Sequence, residues 1–255
     1  MPRIHEAAGQ GYEARSKTYV SGRPGYPPET GIWLREVLGL GSGRSVVDLG
    51  AGTGKFLPNL LETGAEVIAV EPVAAMRARL SEAFPQVKAL EGTAEQIPLP
   101  AQSADAIVCA QAFHWFATPA ALAEMHRVLK PGGMLGLIWN VRDERVDWVA
   151  RLSALIDPHG GDAPRYRSGK WRQQFPAAGF RHVGEAHFRN DHVGPAEDVI
   201  VGRTLSVSFI AALPPAEQEA VVRQVREFIA ATPALSGPEV AFPYETAAFA
   251  YQRTC

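Results

Sequence analysis

The chain has 255 residues, 46% of them apolar and 20% charged, with 24 glycines and 20 prolines. This composition excludes a disordered or fibrous protein and suits one large domain, with or without an appended cap. A net charge of −2 gives no broad basic face for nucleic acid held by phosphate contacts, and no apolar run approaches the roughly 18 residues of a membrane span. The two cysteines, Cys109 and Cys255, exclude a disulfide framework and fit a reducing cytoplasm. The N-terminal MPRIHEAAGQGYEARSK has no apolar stretch of the secretory-signal type. Nothing in the sequence fixes an oligomeric state.

Residues 1–27 are polar and glycine-rich and read as a mobile arm or lid, leading into a helix near 28–39. SVVDL (45–49) is a short buried strand, stopped by glycines at 50, 52 and 54. A helix over 55–63 ends at Gly64, EVIAV (66–70) is the second strand, and a helix over 73–84 precedes a short strand at 87–90. DAIVCA (105–110) is the fourth strand. A helix over 119–129 closes at KPGG, and MLGLIW (134–139) is the fifth strand. Short apolar strands alternating with helical patterns are the signature of βαβ units and a parallel sheet with helices on both faces.

Helices near 143–157 and 168–178 then lead to a strand from Phe180 to about Phe188. QEAVVRQVREFIAA (218–231) places Val221, Val222, Val225, Phe228 and Ile229 on one stripe, and YETAAFAY (244–251) is the final strand. The fifty-odd residues between the last two strands far exceed the roughly two to five of a tight hairpin. They are a small helical cap or an elaborated loop. The expected organisation is an arm at 1–27, a core at 28–190, a cap insertion at 191–238 and a final core strand at 239–255.

The strongest chemical signal is VVDLGAGTG (46–54), an acidic-x-G-x-G-x-G run leaving a buried strand and entering a helix. Glycines there allow a tight turn and let a ligand approach the backbone. The spacing differs from the G-x-G-x-x-G of dinucleotide binders. Glu71 ends the second strand, 23 residues after Asp48, where a carboxylate can accept hydrogen bonds from a ribose diol. His114, within the string QAFHWF (111–116), has the ordinary pKa for a general base. It is equally readable as a structural histidine that orders Trp115. No Cys/His cluster has metal-ligand spacing.

Residues 44–140 resemble the class I S-adenosylmethionine (SAM)-dependent methyltransferases. VVDLGAGTG resembles their first motif and AVEP (69–72) the end of their second strand. GTAEQIPLPAQSADAIVCAQAFHWF (92–116) resembles their third and fourth motifs. HRVLKPGGMLGLIWN (126–140) resembles their next helix, Gly-Gly turn and fifth strand. The arm around Tyr19 to Pro27 and the 111–116 string resemble the small-molecule branch, which includes the trans-aconitate and ubiquinone/menaquinone biosynthetic methyltransferases. The resemblance implies an α/β fold with a doubly wound, mostly parallel, seven-stranded Rossmann-like sheet, its last strand antiparallel, with the helical insertion between the last two strands.

It also implies SAM as cofactor. Gly50, Ala51, Gly52 and Gly54 would line its methionine and ribose. Asp48 would hold its amino group, or else simply order the loop. Glu71 would hold the ribose hydroxyls, Pro72 and Met76 would flank the adenine, and Ala94 and Glu95 would bracket the adenine edge. Gln111 would lie near the methyl, making Gln111 and His114 the candidate catalytic residues. The acceptor would be a small molecule, carboxylate-bearing or apolar. Tyr19, Arg23, Arg142 and Arg203 are its candidate polar contacts, since an Arg fork binds two carboxylate oxygens, with surface salt bridges the alternative for the arginines; Phe113, Trp115 and Phe116 are its candidate wall, or simply core. A non-catalytic SAM-binding regulator and a nicotinamide dehydrogenase on a similar sheet are the competing readings.

Overall fold

A computed structural model describes residues 23–161 and 163–255. Its centre is one seven-stranded sheet built from β1 (Ser45–Leu49), β2 (Glu66–Val70), β3 (Lys88–Leu90), β4 (Ala104–Ala110), β5 (Leu129–Arg142), β6 (Phe180–Gly194) and β7 (Val240–Arg253). The order is β3-β2-β1-β4-β5-β7-β6. The first five strands are mutually parallel, and β7 runs antiparallel to both β5 and β6.

The central strands are apolar on consecutive residues because both faces are covered. Val47 of β1, Ile107 of β4 and Leu137 of β5 enter the core on one face, with Leu122 and Met125 of a helix at Pro119–Val128 (α4). Val46, Val108 and Ile138 enter the core on the other. There they meet Trp33 and Leu34 of α1 (Pro28–Glu36), Leu57 and Leu60 of α2 (Leu57–Leu61), and Leu80 of α3 (Ala74–Ala83). Thr118 caps α4 by accepting from the Ala121 amide at 3.1 Å, and Pro119 fills the position whose missing N–H is harmless.

The second half departs from the sequence-based expectation in three places. The helix expected at 168–178 is two 3₁₀ turns, Tyr166–Ser168 and Lys170–Gln174. Gly169 between them takes φ +66, and Pro176 blocks continuation. The last two strands are longer than expected, because β6 and β7 pair beyond the central sheet, from Asp191↔Pro243 to Gly194↔Val240. Residues 189–192, Arg-Asn-Asp-His, carry no apolar alternation that would announce this extension. The insertion therefore spans residues 195–239 rather than 191–238.

The insertion holds a π-helical turn at Glu197–Gly202, short helices at Arg203–Leu205 and Ser208–Ala211, and α6 (Pro215–Ala230). Another helix, α5 (Asp147–Ile156), brings Trp148, Val149 and Leu152 to a separate apolar cluster. That cluster contains Val199, Ile200, Val221, Val225 and Phe242. The cap thus has its own core, seated on the extended ends of β6 and β7. Among the described residues no helix is long and apolar enough to cross a membrane.

Candidate active site

A cavity of about 200 Å3 opens where β1, β2, β4 and β5 end. In a parallel sheet this edge collects the strand-to-helix loops and the N-termini of the following helices. The loop after β1 forms its floor. The amides of Gly50 and Ala51 donate to the Val70 carbonyl at 2.8 and 3.3 Å, tying the loop to the end of β2. Gly50, Gly52 and Gly54 all take positive φ, at +74, +59 and +86.

Their roles are nevertheless distinct. A Cβ on Gly54 would lie 2.9 Å from Leu57 and Phe84, and one on Gly50 would lie 2.8 Å from the Ala112 methyl. A Cβ on Gly52 would meet nothing closer than the Met76 sulfur at 3.9 Å. Gly52 therefore opens onto the cavity. Gly54 is absent from the cavity lining and is required by helix packing.

Two carboxylates sit against this loop. Glu71 is 5% exposed; its Oε2 accepts the Gly52 amide and its Oε1 the Val73 amide, both at 2.9 Å. Each oxygen keeps lone pairs for a ligand. Burial raises its pKa, opposed by the two amides and by Arg77. Asp48, at 1% exposure, ends β1; its Oδ2 is buried without a hydrogen-bond partner. Burial first, and then the Glu71 charge, push its pKa up to about 7. A buried acid in this state is costly, and a donor or cation entering the cavity would relieve it.

Ala51, Pro72, Met76, Ala94 and Glu95 line the cavity beside this acidic pair, as does Gln111. Gln111 takes φ +56, a strained value for a side chain of its size. Its amide donates to the Ile138 carbonyl at 2.8 Å and its Nε2 to the Asn140 carbonyl at 3.0 Å, locking it to β5.

Of the residues read as acceptor contacts, Arg23, Trp115 and Arg203 line the cavity. Phe113 does not: it is 0% exposed, packed among Phe116, Trp171 and Phe175. Arg142 points to Asp157 at 3.6 Å and is not part of the lining. Tyr19 lies outside the described residues. His114 is half-buried and is not part of the lining. Its Nδ1 accepts the Trp139 Nε1–H at 3.0 Å, and burial, reinforced by Arg23, lowers its pKa to about 3. A ring so placed is neutral, and its Nδ1 is engaged by Trp139.

The cavity also takes residues that the sequence does not single out. Tyr26 packs edge-on against Phe56 with ring centroids 4.6 Å apart, and Lys55, Asn140 and Tyr244 line the far side. Asn140 binds the arm: its Nδ2 and that of Asn190 both donate to the Gly25 carbonyl, at 2.8 and 2.9 Å. Thr246 donates to Asn140 Oδ1 at 2.6 Å. Lys55 and Phe56, directly after the glycine run, were findable from their position. Asn140 depends on how far β5 extends, which periodicity does not show; Tyr244 heads the expected final strand, but nothing in the sequence aims it at the cavity.

A sheet of this order, with a glycine loop after β1 and a carboxylate closing β2, defines a methyltransferase of the class I type. Residues 47–137 match the model of the methyltransferase domain family. Over 239 residues the chain is 36% identical to an uncharacterized methyltransferase-like protein of Schizosaccharomyces pombe, covering 92% of each. It is 39% identical over 229 residues to an uncharacterized methyltransferase of Mycobacterium tuberculosis, covering 89% of each. The chain belongs to this methyltransferase family. Solved structures share the fold at low identity. The [4+2]-cyclase SpnF matches with a TM-score of 0.63 at 16% identity, covering all of this chain and 98% of its own. A geranyl diphosphate methyltransferase in complex with SAM matches with a TM-score of 0.51 at 15% identity, covering 89% and 85%.

Proposed function

We propose that the protein transfers a methyl group from S-adenosylmethionine to a small-molecule acceptor, as in the small-molecule branch of the superfamily. The observation that carries this reading is the unpartnered Oδ2 of Asp48, 99% buried in the cavity wall beside Glu71 and above the open face of Gly52. An α-ammonium would satisfy Asp48, and a vicinal diol would donate to the free lone pairs of Glu71. Gly52 leaves the backbone bare for the atoms between them. Pro72, Met76, Ala94 and Glu95 supply the mixed apolar and polar wall that suits a purine.

The cofactor, when bound, supplies a methyl group already activated by its sulfonium. The chain then has to bind, orient and exclude water. Gln111, held rigid through β5, presents its side chain at the end of β4 beside the two carboxylates. Trp115 and Phe116 wall the space next to it. The arm residues Arg23, Pro24 and Tyr26 and the cap residue Arg203 cover the mouth. Arg23 Nη2 donates to the Ser206 carbonyl at 2.8 Å, so arm and cap meet over the cavity. His114 is neutral and outside the lining, and no other histidine is among the described lining residues, which suits an acceptor that reacts without a histidine base. A carboxylate oxygen meets that condition, because it arrives deprotonated.

The test is transfer of label. Protein incubated with methyl-labelled SAM and a metabolite extract should release S-adenosylhomocysteine together with a labelled small molecule. SAM bound at stoichiometry with no label transferred to any extract would defeat the proposal and favour a non-catalytic SAM-binding protein.

A further inference from the structure

The lining of the cavity carries both signs of charge. The acids in its lining, Asp48, Glu71 and Glu95, belong to β1, the end of β2 and the loop after β3. The bases, Arg23, Lys55 and Arg203, come from the arm, the loop before α2 and the cap. Arg203 is the informative one. It begins the short helix where the π-helical turn of the cap ends. Its Nη1 reaches Ser206 Oγ at 3.3 Å, and its Nε is buried with no hydrogen-bond partner. Arg142, close enough to repel it, is paired with Asp157, whereas Arg203 makes no ion pair among the described residues.

Tyr244 reaches the same place from β7. It is 2% exposed, lines the cavity, and its hydroxyl is buried without a hydrogen-bond partner. Burial of the guanidinium lowers its pKa, with the neighbouring Tyr244 hydroxyl opposing. A largely buried cation whose neighbour is a phenol rather than an anion is unfavourable, and so is a phenol hydroxyl with no acceptor of its own. Here two of them, carried by separate elements, face one cavity. One anion with two oxygens would satisfy both: the guanidinium fork takes one or both oxygens and the phenol donates to one.

We propose that Arg203 and Tyr244 form a carboxylate-binding subsite for the methyl acceptor, which makes the acceptor a small organic acid. This rests on the methyltransferase reading of the cavity and narrows it to a substrate class. The same chemistry could be offered by the carboxylate of the cofactor's own methionine. The subsite is assigned to the acceptor because the two side chains belong to the cap and to the cap-side end of β7. The groups suited to the cofactor's ammonium and ribose belong to β1 and β2.

The experiment uses full-length protein saturated with S-adenosylhomocysteine, titrated by calorimetry with four- to six-carbon mono- and dicarboxylates and with the primary amides of the same skeletons. The proposal expects at least one acid to bind, with its amide at least tenfold weaker. Arg203→Met should weaken that acid at least tenfold. Tyr244→Phe, which keeps the ring and removes only the hydroxyl, should weaken it several-fold. If no acid binds the wild-type protein, if acid and amide bind alike, or if both variants bind the acid as wild type does, the proposal fails. If instead the variants lose S-adenosylhomocysteine affinity tenfold while binding the acid unchanged, the subsite belongs to the cofactor and the proposal is overturned. Absence of S-adenosylhomocysteine binding to the wild-type protein is a separate result, and it would sink the cofactor reading itself.

Discussion

Replacing Asp48 by Asn should stabilise the free protein and weaken SAM binding, and the two effects have one cause. In the free protein burial holds the Asp48 pKa at about 7, some three units above its ordinary value. A raised carboxyl pKa means that the native state binds the proton more tightly than the unfolded chain. Stability from this group is then full below about pH 4 and falls as pH rises, until the native carboxyl has ionised near pH 7. Three units correspond to an upper bound of about 4 kcal/mol at pH 8; an Asn avoids this cost of ionisation.

The ligand's ammonium reverses the balance by pairing with the ionised form. Binding should therefore expel a proton from Asp48, about half a proton per site at pH 7. SAM affinity should climb towards tenfold per pH unit below 7, then level off and decline as the ligand's own amine, with an ordinary pKa of about 8, loses its charge. Hydrogen bonds to charged groups are worth about 1.5–3 kcal/mol, so Asp48→Asn should cost tenfold or more in affinity at pH 7.5. Calorimetry in two buffers of different ionisation enthalpy counts the protons, and thermal unfolding at pH 5 and pH 8 reads the stability. No proton release from the wild type, together with an Asn variant that binds SAM as tightly, would refute the account of Asp48.

Glu71→Ala should lower SAM affinity at least tenfold, and by more than the ribose contacts alone predict. It also frees the Gly52 and Val73 amides that Glu71 holds; calorimetry on the folded variant measures the loss. Gly52→Val should abolish cofactor binding while destabilising the fold only by the roughly 1–2 kcal/mol of a left-handed side chain, since the space above it is open. Wild-type affinity in that variant would show that the loop does not face the ligand. His114→Phe should cost about 1–3 kcal/mol of stability by stranding the Trp139 N–H. It should leave the pH dependence of methyl transfer unchanged. A lost acidic limb in the pH–rate profile would restore His114 as a base.

The sheet was legible because its first five strands are parallel and buried on both faces. SVVDL and DAIVCA can be little else when helical stretches with capping signals separate them. The acidic half of the cavity was legible for the same reason: Asp48 and Glu71 end strands whose positions were certain, and strand ends in such a sheet face the ligand edge. The cap and the far half of the cavity were not. The tips of β6 and β7 are held by pairing with each other, so polar Arg189 to His192 can be strand without any hydrophobic period. Asn140 reaches the cavity through the unexpected end of β5, and Tyr244 lines it from the part of β7 that still pairs with β5.

Proximity along the chain also misled. His114 and Phe113 adjoin Trp115, yet the 3₁₀ turn Phe113–Trp115 sends Trp115 to the cavity, Phe113 into the core and His114 against Trp139. Gly54 belongs to the same run as Gly52, but its missing side chain makes room for Leu57 and Phe84 rather than for a ligand. Spacing identifies such a run, and only the packing around each residue separates these roles.

The most direct measurement is a crystal structure of the protein with S-adenosylhomocysteine. The account predicts the amino nitrogen within hydrogen-bond distance of Asp48, both ribose hydroxyls on Glu71, the backbone of Gly52 against the ligand, and the sulfur turned towards Gln111 and Trp115. A ligand bound elsewhere, or in this cavity with Asp48 and Glu71 making no contact to it, would contradict the account.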